Sequence, residues 1–195
     1  MHRLLLATRN PHKTGEFTEI LGEEFVVRDL SRETDLPPVE ETGATFAANA
    51  ILKAVATSKH FPGIVVGDDS GLEVDALNGA PGIYSARYAG AGATDQQNVA
   101  KLLVELDARP HPRPYSARFR CVLALARDGE LLGTVEGAVD GIIVDEPRGS
   151  GGFGYDPVFQ PVGSSQTFGE LSPVEKHQIS HRARAIYSLR ASLLA

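Results

Sequence analysis

Two adjacent aspartates, Asp68 and Asp69, follow the apolar run Ile64, Val65, Val66 and a glycine, Gly67. Ionised carboxylates side by side repel each other unless a cation, a hydrogen-bond donor or a proton relieves them. In open α/β sheets, ligands bind outside the carboxyl ends of the strands. The spacing therefore predicts a strand that stops at Gly67 and an acidic turn over 67–75 serving a metal or acid–base site. A plain Asx-type turn closing the strand uses the same residues and is the bland alternative. A second acidic pair, Glu40 and Glu41, stands just before a helical pattern. Alone it is a favourable dipole interaction of about 0.3–1 kcal/mol. With Asp68 and Asp69 it becomes a metal candidate, because Mg²⁺ takes one or two carboxylates plus phosphate oxygens and water.

Three further segments carry chemistry. Thr8, Arg9, Asn10, Pro11, His12 and Lys13 place a hydroxyl, an amide and an ammonium in a strand-to-helix turn. Free N–H groups and the positive dipole end of a helix suit a phosphate there, and Lys13 adds a point charge. Ordinary capping by Thr8 or Asn10 is the competing reading. Segment 150–157 is glycine-rich and holds Phe153, Tyr155 and Asp156. Glycines let backbone approach a ligand, and an aromatic face stacks on a base for about 1–3 kcal/mol; aromatics that merely cover the core would look the same. Ser180, His181 and Arg182 open the last helix, and Lys176, His177, Arg184 and Arg190 lie nearby. That cationic stretch suits carbonyl or phosphate oxygens. No Ser/His/Asp or Cys/His nucleophile arrangement stands out, nor any cysteine-based zinc spacing.

Elements must position these groups. Residues 3–7 read as a strand, with Pro11 at the first turn of a helix whose stripe is Phe17, Ile20 and Leu21. Phe25, Val26 and Val27 form a second strand, followed by a polar loop. Phe46, Ala50, Ile51, Ala54 and Val55 mark a helix over about 45–59, with Asn49 and Lys53 on another face. After the acidic turn comes a Gly/Pro/Ala-rich loop over 78–93, then a helix capped by Thr94 or Asp95. Segment 107–114 is a proline-rich connector. Phe119, Cys121, Leu123 and Leu125 alternate along a strand over 117–125. Asp128 and Gly129 join it as a hairpin to a strand from Leu131 through Val139, with a break near Asp140 and Gly141. Ser172, Pro173 and Glu175 form a capping box ahead of a short helix, and a terminal helix starts near His181. Helices and strands mixed around a central hairpin predict an α/β fold with a mixed sheet.

At 195 residues with net charge -6, the chain can bury one sizeable core as one domain or two lobes sharing a sheet, and it lacks the basic footprint of a nucleic-acid binder. A small polyanion fits the local cationic stretch better than a duplex. No apolar run reaches the roughly 18–20 residues of a membrane span, and the N-terminal apolar run is too short for a signal peptide. The single cysteine, Cys121, sits on an apolar strand face and suits a reducing, cytoplasmic setting.

Taken in order, the segments resemble the non-canonical purine nucleoside triphosphate pyrophosphatases, the inosine triphosphatase-like family. The matching residues are Thr8, Asn10 and Lys13; Glu40 to Gly43 with Phe46, Asn49, Ala50, Lys53 and Ala54; Asp68 to Leu72; Gly79 to Tyr88; Gly151 to Pro157; Glu175 and Lys176; and Ser180 to Arg182. The resemblance covers residues 4 to about 187. It implies an elongated mixed β-sheet flanked by helices, with two lobes of a single 1–195 domain around a central cleft. The implied activity is hydrolysis of ITP, dITP and XTP to the monophosphate and pyrophosphate, with Mg²⁺, by a homodimer. By position, Thr8 to Lys13 would hold the triphosphate and Asp69 would act as general base or position the water through Mg²⁺. Glu41, or its neighbour Glu40, would join Asp69 and Asp68 at the metal, and Ser70 would touch substrate. Phe153, Gly154, Tyr155, Asp156, Lys176, His181 and Arg182 would form the base pocket. Arg9 stands where a small residue is common, and Ala48 where a glutamate precedes Asn49, which shifts the metal work onto Glu40, Glu41 and Asp68. A 6-oxo purine offers an acceptor where adenine offers a donor, so donors from Arg182 and backbone N–H groups would be left unpaired by adenine. A pyrophosphatase for modified pyrimidine nucleotides and a nucleotide-binding regulator without turnover are the alternative readings.

Overall fold

The computed structural model describes residues 2–33, 35–110 and 113–194. In chain order the elements are β1 (His2–Leu6), α1 (Pro11–Leu21), β2 (Phe25–Arg28), α2 (Phe46–Ser58), β3 (Ile64–Val74), α3 (Asp95–Asp107), β4 (Tyr115–Arg127), β5 (Glu130–Ile143), β6 (Phe159–Pro161), α4 (Pro173–Ile179) and α5 (His181–Leu194). The strands form one sheet in the order β2-β1-β3-β4-β5-β6. Strand β1 runs parallel to β2 and β3, while β5 and β6 are antiparallel. The sheet is therefore mixed, as the hairpin among helical segments predicts. Asp128 and Gly129 join β4 to β5 with φ of 52° and 83°, the left-handed pair that a type I′ turn requires. Positions 111 and 112 of the proline-rich connector lie outside the described residues.

Two expectations are corrected. The strand does not end at Gly67: β3 continues for 11 residues to Val74, through both aspartates. Gly67 is a packing residue, since a Cβ there would lie 2.1 Å from the carbonyl oxygen of Ala50 in α2. Nor does β5 break at Asp140 and Gly141; it runs unbroken for 14 residues. A Cβ on Gly141 would lie 2.4 Å from the Gln160 carbonyl oxygen and 2.5 Å from the Phe159 ring, so this glycine admits β6. Both glycines mark close approach of a neighbour, which reads in sequence like a strand end. The three-residue β6 itself is too short for any alternation to announce it.

The chain divides into two compact units, one of Met1–Asp69, Cys121–Gly137 and Arg182–Ala195, the other of Ser70–Arg120 and Ala138–His181. The first has its own core, in which Leu4, Leu6, Phe17, Val66, Leu123, Ile186 and Leu189 are buried together. The second packs Leu72, Leu102, Leu106, Phe119, Phe159 and Phe168. Phe119 also stacks on His181, ring centroids 4.6 Å apart. Among the described residues no helix is long and apolar enough to cross a membrane.

Candidate active site

Because β3 is extended at Asp68 and Asp69, the two side chains point to opposite faces of the sheet. That separation gives the neighbouring acids different company, all of it within the first unit. Asp68 is buried and receives Lys13 from α1 on Oδ1. On Oδ2 it receives the Arg182 Nε at 2.9 Å, and the Cys121 thiol lies 3.6 Å away. Arg182, also buried, passes its Nη1 to Glu16 Oε2 at 2.7 Å. Burial alone would raise the Asp68 carboxyl, but Arg182 and Lys13 outweigh it and hold the group far below the usual aspartate range. Asp68 is thus a permanent anion clamped between two cations. Burial and the neighbouring Asp68 charge push the Cys121 thiol well up, so Cys121 is a core thiol.

Asp69 lies on the face that Gly67 opens to α2. Its Oδ1 accepts from Lys53 Nζ at 2.9 Å, and the same ammonium donates to Glu41 Oε1 at 2.9 Å. Burial opposes the charge on Lys53, but Asp69 and Glu41 together raise its pKa. One ammonium shared by two carboxylates leaves Asp69 less compensated. Burial, reinforced by the Glu41 charge, raises the Asp69 carboxyl above its usual value despite Lys53. Its second oxygen, Oδ2, is buried and has no hydrogen-bond partner among the described residues. The segment carrying Glu41 is tied down by Gly43, whose N–H donates to Asn49 Oδ1 at 2.8 Å. Glu40, by contrast, is exposed.

The strand-to-helix turn is built as a capped helix start. Asn10 caps α1, its Oδ1 accepting from His12 N at 2.9 Å, and Thr8 Oγ1 accepts from Asn10 N at 3.1 Å. Pro11 and His12 are exposed on the first turn, and the exposed Arg9 guanidinium donates to the carbonyls of Glu33 and Leu36. Arg9 thereby fastens the loop after β2, a job a small residue cannot do.

The second unit gathers most of the remaining candidates. Lys176 Nζ donates to Asp156 Oδ2 at 2.7 Å, both residues buried, and sits 5.0 Å from the centroid of the Phe153 ring. Asp156 Oδ2 also accepts from Phe153 N at 2.8 Å, and Gly154 N donates to Asp95 Oδ2 at 2.7 Å. The buried Tyr155 hydroxyl donates to the Ser85 carbonyl at 2.9 Å. Ser70 is half-buried on β3. The N–H of Phe153 is thus taken up within its own turn, and that of Gly154 by Asp95 at the start of α3. Arg182 belongs to the first unit, where it joins Asp68 and Glu16.

Sequence reading passed over Lys53 and Glu16 as site residues. Helical spacing offered a signal for both: Lys53 follows Asn49 by four, and Glu16 follows Lys13 by three, placing each pair on one helix face. Among the described residues no three His, Cys, Asp or Glu side chains gather as a ready metal cage. Mg²⁺ does not require one, since it is held by one or two carboxylates with waters and phosphate oxygens. Glu41, which shares the Lys53 ammonium with Asp69, fits that donor set.

The first unit thus sets a buried carboxylate with one unpartnered oxygen near a cationic helix start on a mixed α/β sheet. The model of the Ham1 family matches residues 4–192, and the chain belongs to that family. It is 50% identical to the dITP/XTP pyrophosphatase of Geobacillus kaustophilus, over 97% of this chain and 93% of the relative. It is 47% identical to the dITP/XTP pyrophosphatase of Bacillus subtilis, over 100% and 98%. A solved Ham1 protein from Coxiella burnetii superposes with a TM-score of 0.88 at 41% identity, covering 100% of this chain and 99% of that one.

Proposed function

We propose that this chain is a Mg²⁺-dependent pyrophosphohydrolase that converts ITP, dITP and XTP to the monophosphate and pyrophosphate, clearing deaminated purines from the nucleotide pool. The relatives' activity supports this reading, and one observation carries it: Asp69 is a buried carboxylate of raised proton affinity with one oxygen unpartnered. Such a group is a proton acceptor in search of a proton. In the reaction a water oxygen bonds to the α-phosphorus and the bridging oxygen between the α- and β-phosphorus leaves with its electron pair as pyrophosphate. The water's proton passes to Asp69. Glu41 would hold Mg²⁺ together with waters and phosphate oxygens, leaving the second Asp69 oxygen to the proton, and the ion would supply charge neutralisation at the phosphates. Lys13 supplies a second positive charge beside the α1 N-terminus, where Thr8, Arg9, Asn10, Pro11 and His12 frame the triphosphate. Lys53 keeps Asp69 and Glu41 at a fixed separation. Asp68 is the anchor: clamped by Arg182, it holds Lys13 in place and takes no proton.

On the base side, Phe153 offers a stacking face, and Lys176 and His181 are the donors for a 6-oxo group, with Ser70, Gly154, Tyr155 and Asp156 shaping their surroundings. Arg182 contributes through Asp68. Residues 1–195 act as one catalytic domain, in the cytoplasm and as a homodimer, with no part played by nucleic acid or membrane. The net charge of -6 agrees with a small anionic substrate shielded by metal rather than with a duplex. The test is pyrophosphate release with Mg²⁺ from ITP, dITP and XTP against ATP, with Asp69→Asn as the control. Turnover of ITP by the variant at the wild-type rate would remove Asp69 from the chemistry.

A further inference from the structure

Two consecutive backbone donors of the glycine-rich loop end on carboxylates, Phe153 N on Asp156 and Gly154 N on Asp95. Asp156 belongs to the same turn. Asp95 lies 59 residues away and is the first residue of α3. Helix α3 does not need it as a cap. Thr94 Oγ1 already accepts from Gln97 N, and the Gln97 side chain accepts from Thr94 N at 2.8 Å, a complete capping box. An acid in the first turn gains from the helix dipole wherever its oxygens point, so the aimed 2.7 Å bond to Gly154 is an additional feature.

The loop at this point has unusual freedom to lose. Gly152 and Gly154 flank Phe153 with φ of 70° and 62°, conformations that glycine enters at little cost and leaves as easily. The Gly152 side is closed by Asp156, whose Oδ2 would lie 2.0 Å from a Cβ there. On the Gly154 side the described side-chain contact is Asp95. We infer that Asp95 is a positioning residue: it pins Gly154 so that the Phe153 ring is already set under Lys176 when a purine base arrives. This rests on the nucleotide-hydrolase reading above. Asp95 acts by removing loop freedom before binding, so its loss falls on base binding and spares bond cleavage.

The experiment compares wild type, Asp95→Ala and Asp95→Asn by KM and kcat for ITP, by calorimetric binding of IMP, and by amide exchange at Gly154. In Asp95→Ala, KM for ITP and Kd for IMP rise about tenfold, near the loss of one charge-assisted hydrogen bond, with kcat within about twofold. Gly154 exchanges faster in the same variant. Asp95→Asn restores most of the affinity, because its amide oxygen can accept the same bond. An unchanged KM and Kd in Asp95→Ala, or a fall in kcat equal to the fall in kcat/KM with no rescue by Asn, would overturn the role. Wild-type protein that binds IMP but never turns over ITP would instead overturn the enzymatic reading.

Discussion

Asp68 and Asp69 are chemically identical and adjacent, yet the structure sets their protonation in opposite directions. The cause is the extended backbone, which turns one towards Arg182 and Lys13 and the other towards a single shared ammonium. Their variants should therefore fail differently. Asp69→Asn leaves Lys53 with Glu41, so the fold should persist while kcat falls by about 10²–10⁴-fold, the usual scale of a lost general base. Asp68→Asn takes the shared anion from the buried Arg182, which keeps Glu16, and from the half-buried Lys13, and removing one partner of a buried pair costs about 3–5 kcal/mol. Thermal melts beside rate measurements separate the two, and equal melting points for both variants would contradict the assignment. Asp68 also fixes a pH dependence. Its folded pKa lies below its unfolded value, so its contribution to stability is complete above the ordinary aspartate value of 3.8 and is lost as pH falls below it. Metal-free wild type should lose stability on acidification below about pH 4 more steeply than Asp68→Asn, as read by denaturant midpoints across pH.

At the scale of elements, glycines decide where helices and loops can lie. Gly67→Ala would put a methyl 2.1 Å from the Ala50 carbonyl oxygen. Strand β3 would then be pushed off α2, separating Asp69 from Lys53. The expected cost is about 1–3 kcal/mol, with kcat lowered as well, and a variant with wild-type stability would refute the close approach. Much of this scale was legible in the sequence. The apolar stripe of α2, a cap at Thr94 or Asp95, the capping box at Ser172, and the Asp128–Gly129 turn are local features whose chemistry is complete within a few residues. What was not legible depends on partners far along the chain. Gly67 and Gly141 read as punctuation because Ala50 and Phe159, the groups they make room for, are set by tertiary packing. The candidate residues in 8–13, 40–41, 68–69 and 153–156 could be named from spacing, but not their division of labour. Arg182 joining Glu16 to Asp68 spans 166 residues of sequence on one side and 114 on the other, a pairing no local pattern encodes.

At the scale of the whole molecule, a chain of net charge -6 is proposed to turn over a polyanion. That is workable only if the local field is inverted where the phosphates sit, by Lys13, the α1 N-terminus and a divalent ion. Chelation by EDTA should accordingly abolish turnover, and added Mg²⁺ should restore it without refolding; chelator-resistant hydrolysis would remove the metal from the account. Pyrophosphate release, with Mg²⁺, is to be measured from ITP, dITP and XTP beside ATP, GTP and modified pyrimidine triphosphates. Turnover of ITP, dITP and XTP should stand well above that of ATP, accompanied by the matching monophosphate and lost in Asp69→Asn. Turnover of ATP equal to that of ITP, or hydrolysis confined to the modified pyrimidines, would contradict the proposed activity.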